Sequence, residues 1–132
     1  MNPKQFLAIA GVLFLLLGIL GLTGITGPTP ATSVFGAAWY FGDAENWAYI
    51  ALGVIAIAGA FTLPTDIRRI VALVIGILGI ITGLYSAASP FMVGIRFLGA
   101  EFQNPADTVL HLIVGTWALW VAIRRPKFIA PL

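Results

Sequence analysis

The only histidine of the chain, His111, follows Asp107 by four residues. Residues four apart are neighbours on one face of a helix, so the imidazole and the carboxylate would meet there. Asn104 as the N-cap and Pro105 at the first helical position predict that a helix begins here, with Asp107 reaching back to the cap. An imidazole titrates near neutral pH, which makes the pair the first candidate for chemistry.

The pair by itself does not make a catalytic or metal site. One histidine beside one carboxylate provides too few ligands for zinc, although a single axial bond to a tetrapyrrole is chemically possible. Glu45 and Asp107 could form a carboxylate pair, but nothing in the sequence brings a substrate to them. None of the three serines lies in the sequence context of a nucleophile: Ser33, Ser86 and Ser89. We therefore predict no enzyme activity, no catalytic residue, no metal and no cofactor.

Composition points to lipid as the solvent of this chain. Of 132 residues, 60% are hydrophobic and 9% are charged, and the mean hydropathy is +1.02. A soluble domain of this length could not bury so much apolar surface. There is no cysteine, which excludes disulfides and thiolate metal sites. There is also no basic run of the kind that binds nucleic acid.

Four apolar segments are long enough to cross a bilayer, which takes about 20 residues of helix. They predict one integral membrane domain over residues 1–132, folded as an all-α four-helix bundle with spans at about 3–23, 44–63, 66–88 and 105–123. A signal peptide is the alternative for the first segment. Its apolar part would be shorter and would end in a small-residue cleavage site, so we expect a retained span.

Two connections between the spans are apolar. Residues 35–41 are aromatic and uncharged, which favours a belt at the membrane interface over a ligand-stacking role. Residues 89–103 are apolar but interrupted by Pro90, Gly94 and Gly99, so we expect a short interfacial helix or loop between spans three and four. The short turn at 64–69 predicts that spans two and three are antiparallel neighbours.

The cations give an orientation. In a four-span model all but Arg96 fall on one side: Lys4, Arg68, Arg69, Arg124, Arg125 and Lys127. The positive-inside rule then places both termini in the cytoplasm and the protein in the cytoplasmic (plasma) membrane.

The chain also contains an internal repeat. Residues 15–21 resemble residues 73–79, and Glu45 and Tyr49 correspond to Asp107 and His111. Two spans per unit keep the polarity unchanged, so the sequence predicts two tandem helical hairpins related by an axis along the membrane normal.

The repeat predicts which residues meet. Ionisable groups within spans are costly unless they have partners, so we predict a polar cluster at the non-cytoplasmic face: Glu45, Tyr49, Arg96, Asp107 and His111. A second set, at four-residue spacing on span three, predicts a helix-packing stripe: Gly79, Gly83 and Ala87.

The stretch Asn-Pro-Ala-Asp-Thr-Val-Leu-His-Leu-Ile-Val-Gly at 104–115 resembles the signature of a family of small prokaryotic four-helix membrane proteins of unknown function. In that family an Asp-Asn-x-x-His-like motif opens the last helix. This chain has Thr108 in place of the asparagine, whereas span two has Asn46 but carries Tyr49 in place of His111. The resemblance implies a fold and a membrane location, and it implies no activity, substrate or cofactor.

Two functions remain open at this point. The first is a non-enzymatic accessory or scaffold subunit, whose partners are the lipid bilayer and another membrane protein or copies of itself. The alternative is a transporter or small-ligand-binding protein that uses the polar cluster. Capping of the helix by Asp107, with His111 as its partner, would explain the motif without a ligand.

Overall fold

The computed structural model describes residues 1–88 and 105–124 and is all-helical over these ranges, apart from loops and one 3-10 turn. Its four α-helices are α1 (Pro3–Leu22), α2 (Asp43–Thr62), α3 (Thr65–Ala88) and α4 (Pro105–Ile123). All four are long and apolar enough to cross a membrane. Some sequence predictions concern residues outside the described ranges: Arg96 of the polar cluster, the interfacial element at 89–103, and the cations Arg125 and Lys127.

Local capping explains where the helices begin. The Asn2 side chain accepts a hydrogen bond from the Gln5 main chain, and the Gln5 side chain accepts one from the Asn2 main chain, which forms a capping box at α1. The N-cap of α2 is Gly42. Glu45 Oε2 accepts from Gly42 N at 2.7 Å, which satisfies a main-chain donor before the first turn. Asp43, whose residue type predicts the N-cap of span two, is instead the first residue of α2.

The helices pack as two antiparallel pairs. α1 runs along α2 and α3 runs along α4, and α1 also makes smaller contacts with α3 and α4. Glu45 and Asp107 lie at one end of the bundle, here called the acidic end. Lys4 and Arg69 lie at the opposite, basic end. An apolar core near the basic end joins the pairs: Phe6, Leu7, Ala10, Ala56, Ala60, Ala72, Ala118, Val121 and Ala122.

Glycine allows close approach within each pair. A Cβ on Gly53 of α2 would lie 2.7 Å from the Gly11 main-chain oxygen of α1. A Cβ on Gly115 of α4 would lie 2.7 Å from the Ile80 nitrogen of α3. Both distances are shorter than carbon allows, so a side chain at either position would push the helices apart.

The predicted packing stripe on α3 is met in part. Gly79 and Gly83 face α4, next to Gly115 and Leu112, whereas Ala87 is exposed and Ser86 is buried. A strict four-residue spacing drifts by about 40° per step on a helix of 3.6 residues per turn, so the face continues at Ser86.

The prediction that spans two and three are antiparallel neighbours holds at their connection but not along their lengths. Their short connection joins the ends of α2 and α3, but the two helices do not pack along their lengths. A cavity of about 310 Å³ lies between them.

Candidate ligand-binding cavity and polar cluster

Asp107 and His111 form the pair that their spacing predicts. Asp107 lies in the first turn of α4 and is fully buried. His111 Nδ1 lies 3.0 Å from Asp107 Oδ1 and 2.8 Å from the Asp107 main-chain oxygen. Because both oxygens are acceptors, we assign the imidazole proton to Nδ1. The carboxylate thus orients the ring on its own helix.

Tyr49 connects this pair to the other helix pair. Its hydroxyl donates a long hydrogen bond of 3.4 Å to Asp107 Oδ1, and its ring centroid lies 6.4 Å from that of His111. Tyr49 is itself buried on α2. Asp107 Oδ1 is therefore shared between a phenol from α2 and an imidazole from α4.

Glu45 completes the described part of the predicted cluster. Its side chain is buried one turn before Tyr49 on α2, and its Oε2 accepts from Gly42 N. The fold thus brings four predicted residues to the acidic end: Glu45, Tyr49, Asp107 and His111.

Two aromatic rings that the sequence did not assign to the cluster hold Tyr49 in place. Phe14 of α1 stacks on Tyr49 at 5.7 Å between centroids, and Phe41 contacts it edge-on at 5.1 Å. Phe41 was predicted as part of an interfacial belt, but it is fully buried. Its main-chain nitrogen donates to Thr26 O at 2.8 Å, which draws the end of the loop into the bundle.

Asn46 is a further buried polar residue near the cluster. Its side chain is fully buried, and Nδ2 donates to the Phe41 main-chain oxygen at 3.0 Å. A Cβ on Gly21 would collide with the Asn46 amide, so this glycine leaves the space that the amide occupies. An asparagine inside an apolar span was the available signal, because such a residue needs an internal partner.

The cavity extends from the cluster toward the basic end. All four helices line it: Leu7, Phe14, Tyr49, Leu52, Ile55, Ala56, Gly59, Leu63, Val71, Ile75, Leu78, Gly79, Thr82, Leu110, His111 and Val114. Its polar side chains are Tyr49, Thr82 and His111, and within the described ranges no Asp, Glu, Lys or Arg lines it. From Tyr49 to Leu63 it follows α2 for about 21 Å at about 1.5 Å per residue.

The described part of this arrangement is a mostly apolar enclosure with polar side chains at one end. Over residues 1–88 and 105–124, no three histidine or acidic side chains converge on one point. A mostly apolar cavity with a few polar groups at one end is the common form of a small-molecule site.

Comparison of the chain with protein-family models, with curated proteins and with solved structures finds no match. The family resemblance suggested by the motif at Asp107 and His111 stays a prediction.

Proposed function

We propose that the chain is a non-enzymatic integral membrane protein that binds a small hydrophobic molecule between two tandem helical hairpins. The observation that carries this proposal is the cavity of about 310 Å³, which all four helices line and which ends at Tyr49 and His111. Unfilled space inside a bundle forfeits dispersion contacts, and a molecule from the surrounding lipid would restore them.

The membrane and the orientation belong to the same proposal. We place the protein in the cytoplasmic membrane with both termini in the cytoplasm. The support is the charge distribution, because Lys4, Arg68, Arg69 and Arg124 all lie at the basic end.

The tandem arrangement is supported by contacts that recur between the pairs. Three contacts between α1 and α2 have counterparts between α3 and α4. Gly11 lies against Ile57 as Gly76 does against Leu119, and Gly18 lies against Ile50 as Gly83 does against Leu112. Gly21 lies against Asn46 as Ser86 does against Thr108. In this correspondence Glu45 and Tyr49 match Asp107 and His111, as the sequence predicted.

The recurring contacts favour a different register for α1 and α3. The sequence matched residues 15–21 with 73–79, which makes Gly18 the counterpart of Gly76. The contacts instead make Gly11 the counterpart of Gly76. Gly11 faces Ile57, four residues after Gly53 on α2, and Gly76 faces Leu119, four residues after Gly115 on α4. Two turns of leucine-rich helix look alike in sequence, so the composition could not fix the register.

Photolabelling tests the binding proposal. A small apolar aryl-diazirine, added to the protein in liposomes and photolysed, should label Leu78 and Val114 saturably. Val109, on the outer surface of the same helix, is the matched control and should be labelled in proportion to the probe. Mass spectrometry of the peptides measures labelling at the cavity residues and at the control residue. Labelling that is unsaturable at all three residues would contradict binding.

A second candidate is the accessory or scaffold role. The observation in its favour is an apolar groove on the outer face of α4, lined by Leu112, Ile113, Thr116, Trp117 and Trp120. A second copy of the chain could pack there. Because the chain has no cysteine, Ile113→Cys in membranes should form disulfide-linked dimers, whereas Val54→Cys on α2 should not. Equal cross-linking, or none, would count against self-association through α4.

A further inference from the structure

One flank of the bundle is closed by aromatic packing. Phe6 of α1 meets Trp117 of α4 edge-on, with centroids 4.8 Å apart and planes at 85°. Trp117 Nε1 also donates to Met1 Sδ at 3.2 Å. These contacts fill the space between α1 and α4 near the basic end.

The equivalent flank, between α3 and α2, carries smaller side chains. By the recurring contacts, Phe6 corresponds to Val71 and Trp117 to Ile55. Val121 of α4, which is buried in the core, corresponds to Gly59. Val71, Ile55 and Gly59 all line the cavity. The cavity therefore exists where the second flank lacks the aromatic pair that closes the first.

The cavity opens sideways through this flank. Leu52 and Ile55 of α2 line it, yet they are 49% and 66% exposed, and Leu78 of α3 is 57% exposed. Residues that line a cavity and also face outward form the rim of an opening. A molecule can thus reach the cavity from the surroundings of the helices without passing the polar cluster.

We propose that this opening admits a single-chain lipid with a neutral hydrogen-bonding head, such as a fatty alcohol or ester. The inference rests on the proposed function and specifies its ligand and its route. The hydrocarbon chain of this lipid lies along the flank between α2 and α3, and its head lies at Tyr49, Thr82 and His111. The class follows from shape and polarity. The cavity is long and apolar, its polar side chains are at one end, and among the described residues no Asp, Glu, Lys or Arg lines it.

The decisive variant closes the open flank with the residues of the closed one. Val71→Phe with Ile55→Trp should lower labelling at Leu78 and Val114 by about tenfold, which is the effect of a modest loss of binding free energy. The reagent is a stearyl alcohol carrying a diazirine, in liposomes of phosphatidylcholine. Circular dichroism and the unfolding midpoint report whether the variant is folded. Ile70→Phe with Val54→Trp adds the same bulk on the outer surface and should leave labelling unchanged.

The single variant Val71→Phe gives an independent reading if the double variant does not fold. It adds less volume on the same flank and should lower labelling at Leu78 and Val114 in part. Labelling of a folded closed variant at the level of the unsubstituted protein would overturn the lateral route.

The position of the diazirine tests the orientation. With the diazirine near the hydroxyl, labelling should concentrate at Thr82 and Tyr49. With the diazirine at the chain end, it should concentrate at Val71 and Leu63. A lipid that merely surrounds the bundle would place its head at either surface, so head-end labelling of Val71 would contradict an oriented site.

The outcomes separate the two proposals. If neither the aryl-diazirine nor the stearyl alcohol labels the cavity saturably, the proposed function fails. If the aryl-diazirine binds but the stearyl alcohol does not, only the further inference fails. The same holds if the stearyl alcohol binds equally well after the flank has been closed. Competition by unlabelled stearyl alcohol but not by stearate or stearylamine supports the neutral head, and equal competition by all three contradicts it.

Discussion

Asp107 Oδ1 has two hydrogen-bonding neighbours from different helices, and this single atom connects the two helix pairs at the acidic end. His111 reaches it from the next turn of α4, and Tyr49 reaches it from α2. The first contact follows from helix geometry, while the second requires the bundle. A fully buried carboxylate needs such partners, because charge without them is costly in an apolar medium.

A double-mutant cycle measures the contact between the pairs. Tyr49→Phe removes the hydroxyl and keeps the ring that packs on Phe14. We expect it to lower the free energy of unfolding by about 0.6 kcal/mol, the average for hydrogen bonds between membrane helices. The measurement is unfolding in mixed detergent micelles.

In a background of Asp107→Leu the same substitution should cost less, because the acceptor is gone. An equal cost of Tyr49→Phe in both backgrounds would show that the bond does not contribute to stability.

Gly21 leaves the space that the Asn46 amide fills. Gly21→Ala would put a Cβ into this fully buried amide. The amide would have to leave the Phe41 oxygen, so we expect a loss of about 1–3 kcal/mol in the free energy of unfolding. Gly42→Ala is the control, since among the described residues its Cβ would meet only Glu45 Oε2, at 3.7 Å. A loss of similar size in both variants would contradict the assignment.

At the scale of the elements, each pair depends on a glycine face. Gly115 approaches the α3 main chain too closely for any side chain. Gly115→Ala should therefore lower the free energy of unfolding by about 1–3 kcal/mol, the usual cost of added volume in a packed interface. The unfolding assay in mixed micelles measures it.

Gly59→Ala is the matched control for Gly115→Ala. Among the described residues its Cβ would meet only the side chain of Leu63, the C-cap of the same helix, at 3.1 Å. The better helix propensity of alanine, about 1 kcal/mol, should offset that contact. Destabilisation of Gly59→Ala as large as that of Gly115→Ala would mean that the interface is not the cause.

The packing face of α3 can be located by one added side chain. Ser86→Leu should destabilise the protein, because Ser86 is buried and its hydroxyl lies 2.6 Å from that of Thr108. Ala87→Leu should be tolerated, because Ala87 is exposed. We expect a difference of about 1–3 kcal/mol between the variants in the free energy of unfolding. The reverse order would restore the stripe through Ala87 that the sequence predicted.

At the scale of the whole molecule, two tightly packed pairs meet over a smaller interface. The pairs join through the apolar core near the basic end and through the polar cluster near the acidic end, with the cavity between these regions. This division lets a cavity exist without loosening either pair.

Orientation in the membrane is a property of the whole molecule, and introduced cysteines report it. Val34→Cys, in the exposed loop between α1 and α2, should react with a membrane-impermeant maleimide on intact cells. Asp66→Cys, at the start of α3, should react only after the cells are permeabilised. Both positions are exposed. The opposite pattern would reverse the proposed orientation.

Much of the fold could be read from local sequence. Apolar length gave the four helices to within one residue at each end, and the N-terminal signal at Pro105 located the start of α4. The spacing of Asp107 and His111 gave their contact, because helix geometry alone determines it. The predicted match of Glu45 and Tyr49 with Asp107 and His111 singled out residues that the structure places at the acidic end.

Only the tertiary structure decided which helices pack and where space remains. The register of α1 against α2, the burial of Ser86 instead of Ala87 and the separation of α2 from α3 depend on partner surfaces that no local pattern specifies. Val71 and Ile55 are ordinary apolar residues in the sequence. They become the wall of a cavity only because α2 and α3 leave space between them, and side-chain volume has a structural effect only against the neighbour that it meets.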